Sequence, residues 1–249
     1  MKTKIVLPLI ILIIVAVMVW VKPIPQDLNY HLFADGLSQW GIANFWNVLS
    51  NLPFVLVGLL GLWSLNKRQL NTANDFKVFY WVFFIGIVFV GLGSSWYHLN
   101  PNNDTLVWDR LPMTIAFMAF FSVILAEHVD AVLGKRLLWP MVIVGLLSIV
   151  YWQYSESVGA GDLRMYALVQ FLPLIMIPLI FIIYPKPYTH IFLIWVFVGL
   201  YVVAKILEHF DGQIFETLSV ISGHSLKHVA AALGVFFYWR YLRVRTDFR

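Results

Sequence analysis

The chain of 249 residues contains no cysteine. That excludes disulfides and thiolate ligands, so any metal has to be held by histidine and carboxylate. Charge is scarce as well. Asp, Glu, Lys and Arg together make up 12% of the residues, against about 25% in an ordinary soluble domain. The apolar runs never alternate with polar positions, which excludes a transmembrane β-barrel. No internal repeat or low-complexity tract is visible, and the first apolar run has no A-x-A-like cleavage site. What is abundant is hydrocarbon: 61% of the residues are hydrophobic, and the mean hydropathy is +0.80.

A bilayer crossing needs about 20 mostly apolar residues. Eight stretches qualify: 4–21, 44–65, 78–98, 106–127, 137–154, 165–184, 190–210 and 221–243. Eight spans with short connections leave no room for a soluble domain, so the sequence predicts an all-α, polytopic membrane protein. Residues 1–21 are expected to form a retained signal-anchor helix, 22–43 an extracytoplasmic loop, 44–243 the helical core and 244–249 a cytoplasmic tail. The net charge of +4 reads as a topology signal and not as a nucleic-acid footprint. With the N-terminus inside, twelve of the seventeen Lys and Arg residues fall on the inner side, Lys2, Lys4, Lys186, Arg245 and Arg249 among them. By the positive-inside rule both termini are then cytoplasmic.

Polar residues at membrane depth gather at the outer ends of the predicted spans. Ser94, Ser95 and His98 close one span, and Asp109 and Arg110 open the next. Gln153 and Tyr154, then Glu208 and His209, end two others, while His224, Lys227 and His228 open the last. Asn44, Asn47 and Asn51 share a helical face, with Ser50 nearby, and are expected to point into the bundle. The inner halves, such as "FVLVGLLGL" and "LIMIPLIFII", are nearly pure hydrocarbon. A one-sided polar cluster drawn from many helices reads as a site.

His224 and His228 are four residues apart, so they stack on one helix face about 6 Å apart along the axis, and both imidazoles can reach one cation. The competing reading is a pair of histidines satisfied by neighbouring hydrogen bonds. Ser225 stands where an HExxH motif has its glutamate, so a base would come from another helix. In "GLGSSWYHLNPNNDTLVWDRLPM" (91–113), His98 offers a third nitrogen, matching the three protein ligands of catalytic zinc. Asp109 follows a Pro-Asn-Asn-Asp turn and returns at about the same depth, where a carboxylate can take a proton from water or, alternatively, pair with Arg110 or hydrogen-bond a ligand histidine. Either Ser94 or Ser95 could donate to a developing oxyanion. Gly91 and Gly93 permit close helix approach. Ser95, Glu208, Lys227 and Asn47 are candidates for support around these groups. Lys227 is expected either to reach the outer interface or to pair with Glu208. His31, His128 and His190 are read as solvated and uninvolved.

The segments "NFWNVLSNLPF", "GLGSSWYH", "WDRLPM" and "SGHSLKHVAAAL" resemble the motifs of the alkaline ceramidases, within the CREST group of seven-helix membrane hydrolases. The resemblance covers residues 44–243 and leaves 4–21 as an additional N-terminal span. It implies zinc on His98, His224 and His228, with Asp109 as the base on the metal's water. It also implies Ser94, rather than Ser95, as the oxyanion donor. Eukaryotic ceramidases carry an acidic calcium site before the first core helix and begin that helix with glutamate. Here Asn44 takes the glutamate's place and the upstream loop offers only Asp27 and Asp35, which argues against a calcium site of that kind. The short polar tail and absent cysteine resemble prokaryotic members, pointing to a bacterial inner membrane.

The reading that follows is zinc-dependent hydrolysis of the amide bond of ceramide or a ceramide-like membrane lipid, with the site toward the outer side. Its rivals are a hydrolase of non-sphingoid N-acyl or ester lipids on the same site and a receptor-like or transport protein with structural zinc. Haem held between helices is a third.

Overall fold

The computed structural model describes residues 3–184 and 187–247. Lys2, Lys186 and Arg249, three of the cations counted for topology, lie outside them. Among the described residues all regular structure is helical, apart from two isolated β-bridges, Gln39 with Ile42 and Tyr188 with Asp247. The helices are α1 (Thr3–Trp20), α2 (Phe45–Leu49), α3 (Leu52–Asn66), α4 (Lys77–Leu99), α5 (Asn103–His128), α6 (Ala131–Ser157), α7 (Arg164–Ile183), α8 (Phe192–His209), α9 (Asp211–Leu218) and α10 (Gly223–Val244).

Among the described residues six helical stretches are long and apolar enough to cross a membrane, the first being Phe45–Asn66 and the last Phe192–His209. A seventh is reached if α9 and α10, which meet at 105°, are taken as one broken span. The apolar part of α1, Val6–Trp20, is shorter. The stretch expected as a continuous helix over 44–65 is broken at Ser50 and Asn51. Pro53, in the first turn of α3, has no N–H to donate to the preceding turn, so the helix restarts there. The corner before α10 was not foreseen either. It is made by Ser219, in the left-handed conformation with φ of 59°, and by Ser222, whose hydroxyl accepts from the Ser225 N–H at the start of α10.

Helix α5 is the axis of the bundle, with the largest buried share of any candidate span. Helices α4, α6 and α7 pack around it, α3 joins α4 to α10, and α8 lies on α10 at the periphery. Aromatic rings fill the centre, with Phe83, Phe120 and Tyr238 in mutual contact at centroid distances of 4.9–5.9 Å. Large apolar side chains such as Leu12, Leu56, Phe89, Val150 and Ile182 face outward, as suits helices solvated by lipid tails.

Helices α4, α6 and α8 end, and α5, α7 and α10 begin, at the same end of the bundle as the 22–43 loop. The opposite end, where the helix halves are nearly pure hydrocarbon, carries a buried ion pair that the sequence did not signal. There Arg245, which the sequence assigned to a free tail, is fully buried and paired with Glu127 at 2.7 Å. Its guanidinium also donates to Tyr80 Oη at 2.9 Å and to the Asn71 carbonyl at 2.7 Å. His128, expected to be solvated, is buried against the Phe181 ring.

Candidate metal centre

His98 lies in the last turn of α4, and His224 and His228 lie on one face of the first two turns of α10. All three are buried, with ring centroids 5.0, 5.0 and 5.1 Å apart. One nitrogen from each ring can be chosen so that all lie within 4.8 Å of one another, an arrangement that could hold a metal ion.

The surrounding hydrogen bonds fit that use. His98 Nδ1 and His224 Nε2 are buried and have no hydrogen-bond partner among the described residues. Burying a polar atom without a partner costs about 1–3 kcal/mol, and a ligand cation would remove that penalty. His228 Nδ1 lies 2.8 Å from Ser50 Oγ, which in turn lies 3.2 Å from the Asn47 carbonyl oxygen. Ser50 has a single hydrogen. If the carbonyl takes it, Oγ accepts from Nδ1–H and leaves Nε2 of His228 with a free lone pair. Three neutral imidazoles with free nitrogens form a donor set suited to zinc, copper, iron or nickel.

Local packing explains why the three rings meet. A Cβ on Gly223 would come within 2.2 Å of the Leu207 carbonyl oxygen, so only glycine lets α10 start this close to the end of α8. Asp211 anchors that start, its Oδ1 accepting from the His224 N–H at 2.6 Å and its Oδ2 from the Ala34 N–H at 3.0 Å. A carboxylate at a helix N-terminus also complements the helix dipole. Asn44 does not lie on an inward helix face. It sits before α2 in the left-handed conformation, and its amide donates to the otherwise unpaired His98 carbonyl at 2.8 Å.

Ser94 and Asp109 adjoin one another across α4 and α5. At Gly93 a Cβ would meet the Trp108 carbonyl oxygen at 2.0 Å, so the two helices touch there through bare backbone. Ser94 is buried and faces a cavity of about 460 Å³ that Asp109 and His228 also line. Ser95 turns away, donating to the Val48 carbonyl at 3.1 Å. Asp109 forms no ion pair with Arg110 among the described residues. The cavity's deeper walls are apolar, with Phe54, Val90, Met113, Phe171 and Ala231 among them.

The two alternatives for Lys227 resolve in favour of Glu208. Both Lys227 and Lys205 bind that carboxylate, at 2.5 and 2.7 Å, and Tyr30 Oη donates to it at 3.3 Å. Burial foremost, then the negative charge of Glu208, pushes the Tyr30 phenol well above its ordinary range. Asn47 is joined to none of the three histidines by a hydrogen bond among the described residues. It accepts from Ser225 Oγ at 2.9 Å and donates to the Asp35 carbonyl at 2.7 Å, tying the 22–43 loop to α10.

That loop closes the site. Phe33 lies against both His98 and His224, with centroids 4.6 and 4.5 Å away. His31, expected to be solvated, contacts Tyr97 Oη and Asn103 Oδ1, each at 2.9 Å. Asp35 is fully buried, and burial raises its carboxyl from the usual range, although the Leu37 N–H acts in the other direction. His190 is exposed, as expected. Sequence reasoning missed Phe33 and Asp211 altogether and saw Ser50 only as a polar residue. The 47/51 periodicity places Ser50 near the inward face, but nothing in a sequence shows that His228 stands opposite.

A profile of the Ceramidase family matches residues 36–247, which contain all of these site residues except Phe33, His31, Ala34, Asp35 and Tyr30 of the preceding loop. The chain is also similar to a Dictyostelium discoideum protein named "Putative alkaline ceramidase dcd3A", with 28% identity over 103 residues. The match covers 35% of this chain and 34% of the length of that relative.

Proposed function

The chain belongs to the ceramidase family, and from that premise we propose that it hydrolyses the N-acyl amide bond of ceramide or a ceramide-like membrane lipid, releasing a fatty acid and a sphingoid base or other amine. The observation that carries this reading is the convergence of His98, His224 and His228 beside a cavity lined by Ser94 and Asp109 at one level and by hydrocarbon below it. The three imidazoles would hold a metal ion, and zinc is the natural choice for three neutral nitrogens with no thiolate. When bound, such an ion supplies Lewis acidity, which makes water acidic near neutral pH.

This chain's own groups supply the rest. Asp109 accepts a proton from the attacking water and returns it to the departing amine nitrogen as the C–N bond breaks. Ser94 donates its hydroxyl hydrogen to the carbonyl oxygen as negative charge develops there. Phe33 and the loop that carries it cover the imidazoles and keep bulk water off them, where electrostatic interactions are strengthened by the low dielectric. The acyl chain lies along Phe54, Val90, Met113 and Phe171.

The fold is read as the seven-helix CREST bundle, α2–α3 to α10, with α1 as one additional span. The distribution of Lys and Arg supports cytoplasmic termini and a site toward the outer face, and the resemblance to prokaryotic members supports a bacterial inner membrane. Elemental analysis of purified wild type beside His224→Ala tests the metal. A panel of ceramides, other N-acyl lipids and ester lipids, with product mass spectrometry, tests the reaction. Turnover of esters with no amide cleaved would overturn the amidase reading.

A further inference from the structure

Arg110 makes no direct ion pair among the described residues, although Asp27, Asp109 and Glu208 line the same cavity. Its side chain is 6% exposed and lines the cavity. The guanidinium is caged by three rings, Trp152, Tyr166 and Tyr30, at 4.5, 4.9 and 5.5 Å from their centroids. Nη2 donates to Gln26 Oε1 at 2.6 Å, while Nη1 is buried with no hydrogen-bond partner among the described residues. None of the ion pairs among the described residues involves Arg110. Lys205 and Lys227, by contrast, share Glu208. A buried cation in no direct ion pair, with a donor to spare, is costly unless a ligand completes it.

The direction of the helices says which part of a substrate would do so. Helix α5 starts at the loop end of the bundle, and helix side chains lean toward their N-terminus. Arg110 therefore reaches toward Gln26 and Tyr30 of the loop, while Met113 lies one turn deeper on the same helix. Val90 lies one turn deeper than Ser94 on α4. The hydrocarbon of an acyl chain belongs to the deeper walls. What meets Arg110 is the polar head, on the side from which the amine departs.

We propose that Arg110 is a specificity residue for an oxyanion (carboxylate, sulfonate or phosphate) on the amine half of the substrate, so that the preferred lipid is an acidic N-acyl amide rather than neutral ceramide. This rests on the amidohydrolase reading above. The guanidinium fork matches such a group through paired N–H donors, which a lysine does not.

The test compares N-oleoylserine with N-oleoylserinol, which differ only in a carboxylate against a hydroxymethyl group. Detergent-solubilised, metal-loaded wild type is expected to show kcat/KM at least tenfold higher for the serine amide. Arg110→Gln is expected to lower that value at least tenfold and the serinol value no more than threefold. Equal losses on both lipids would mean that Arg110 only props the loop, and would overturn the proposal. So would a wild type that favours the neutral lipid or shows no preference, which decides the matter even if the variant does not fold. A second arm measures the melting-temperature shift produced by each lipid, and by oleate, on chelator-stripped protein. If no lipid is cleaved, the amidohydrolase reading fails, but a larger shift with the serine lipid than with the serinol lipid still supports the oxyanion site. Equal or absent shifts overturn it. A shift with oleate alone that depends on Arg110 overturns it too, by assigning the charge to the released acid.

Discussion

Ser50 Oγ stands 2.8 Å from His228 Nδ1, joining the break between α2 and α3 to the second turn of α10. Groups that orient a metal-bound imidazole through its other nitrogen typically contribute about 10–100-fold to metal affinity. Ser50→Ala is therefore expected to weaken metal binding by about that factor, and Ser50→Thr, which keeps the hydroxyl, to restore most of it. Chelator competition on the folded protein measures both. Unchanged affinity in Ser50→Ala would falsify the orienting role.

His224→Ala removes one of three proposed ligands whose nitrogens lie within 4.8 Å of one another. Wild type is expected to retain about one ion per chain after dialysis and the variant to retain none. Chelation should lower the melting temperature of wild type and leave that of the variant unmoved, since a ligand stabilises only the state that binds it. A variant that keeps stoichiometric metal would show that the histidine triangle is not the site.

Asp109→Asn preserves the shape of the group beside Ser94 but cannot accept a proton at the same oxygen. Loss of a general base typically costs about 10²–10⁴-fold in rate. The variant is expected to keep its metal and its melting temperature while amide cleavage falls by that factor. Wild-type turnover in Asp109→Asn would sink its role as the base.

Glu208 serves two lysines at once, at 2.7 and 2.5 Å. Breaking a fully buried ion pair costs about 3–5 kcal/mol, and the 38% exposure of the Lys205 side chain reduces its share. Glu208→Gln should destabilise the protein by about 1–3 kcal/mol, and adding Lys227→Met should recover part of the loss. Denaturation in mixed micelles reads both, and a double variant less stable than the single one would contradict the pairing.

Asp162, in the turn before α7, is held well below the usual carboxylate range. The main cause is the Arg164 guanidinium, which donates from Nε and Nη2 at 2.9 and 2.8 Å; burial opposes it, and the Tyr151 hydroxyl at 2.7 Å assists. A depressed carboxyl pKa contributes stability in full above the unfolded value of about 3.9. That contribution is lost as pH falls through the folded value. The melting-temperature gap between wild type and Asp162→Asn should thus be constant above about pH 5 and narrow below pH 4. A gap that widens with acid would reverse the sign and refute the assignment.

Much of this was legible in one dimension. Continuous apolar runs, no cysteine and little charge are properties of composition, and they were enough to call for a bundle of membrane helices. The four-residue spacing of His224 and His228 placed both rings on one face because a helix repeats every 3.6 residues. The motif resemblance linked them to His98, Ser94 and Asp109, which lie more than a hundred residues earlier. Sequence also located the polar cluster at one end, although it overlooked Glu127 and Arg245 at the other, where a tail residue folds back into the bundle.

Tertiary structure alone decided the relations between elements. That Ser50 faces His228, that Phe33 covers two imidazoles, and that Lys227 chooses Glu208 over the interface all depend on which helix lies beside which. The bareness of Gly93 against Trp108 and of Gly223 against Leu207 matters only once those helices are adjacent. The spare donor of Arg110 is of the same kind. A sequence counts its arginines and carboxylates, but whether one meets the other is fixed by distance, and distance exists only in the fold.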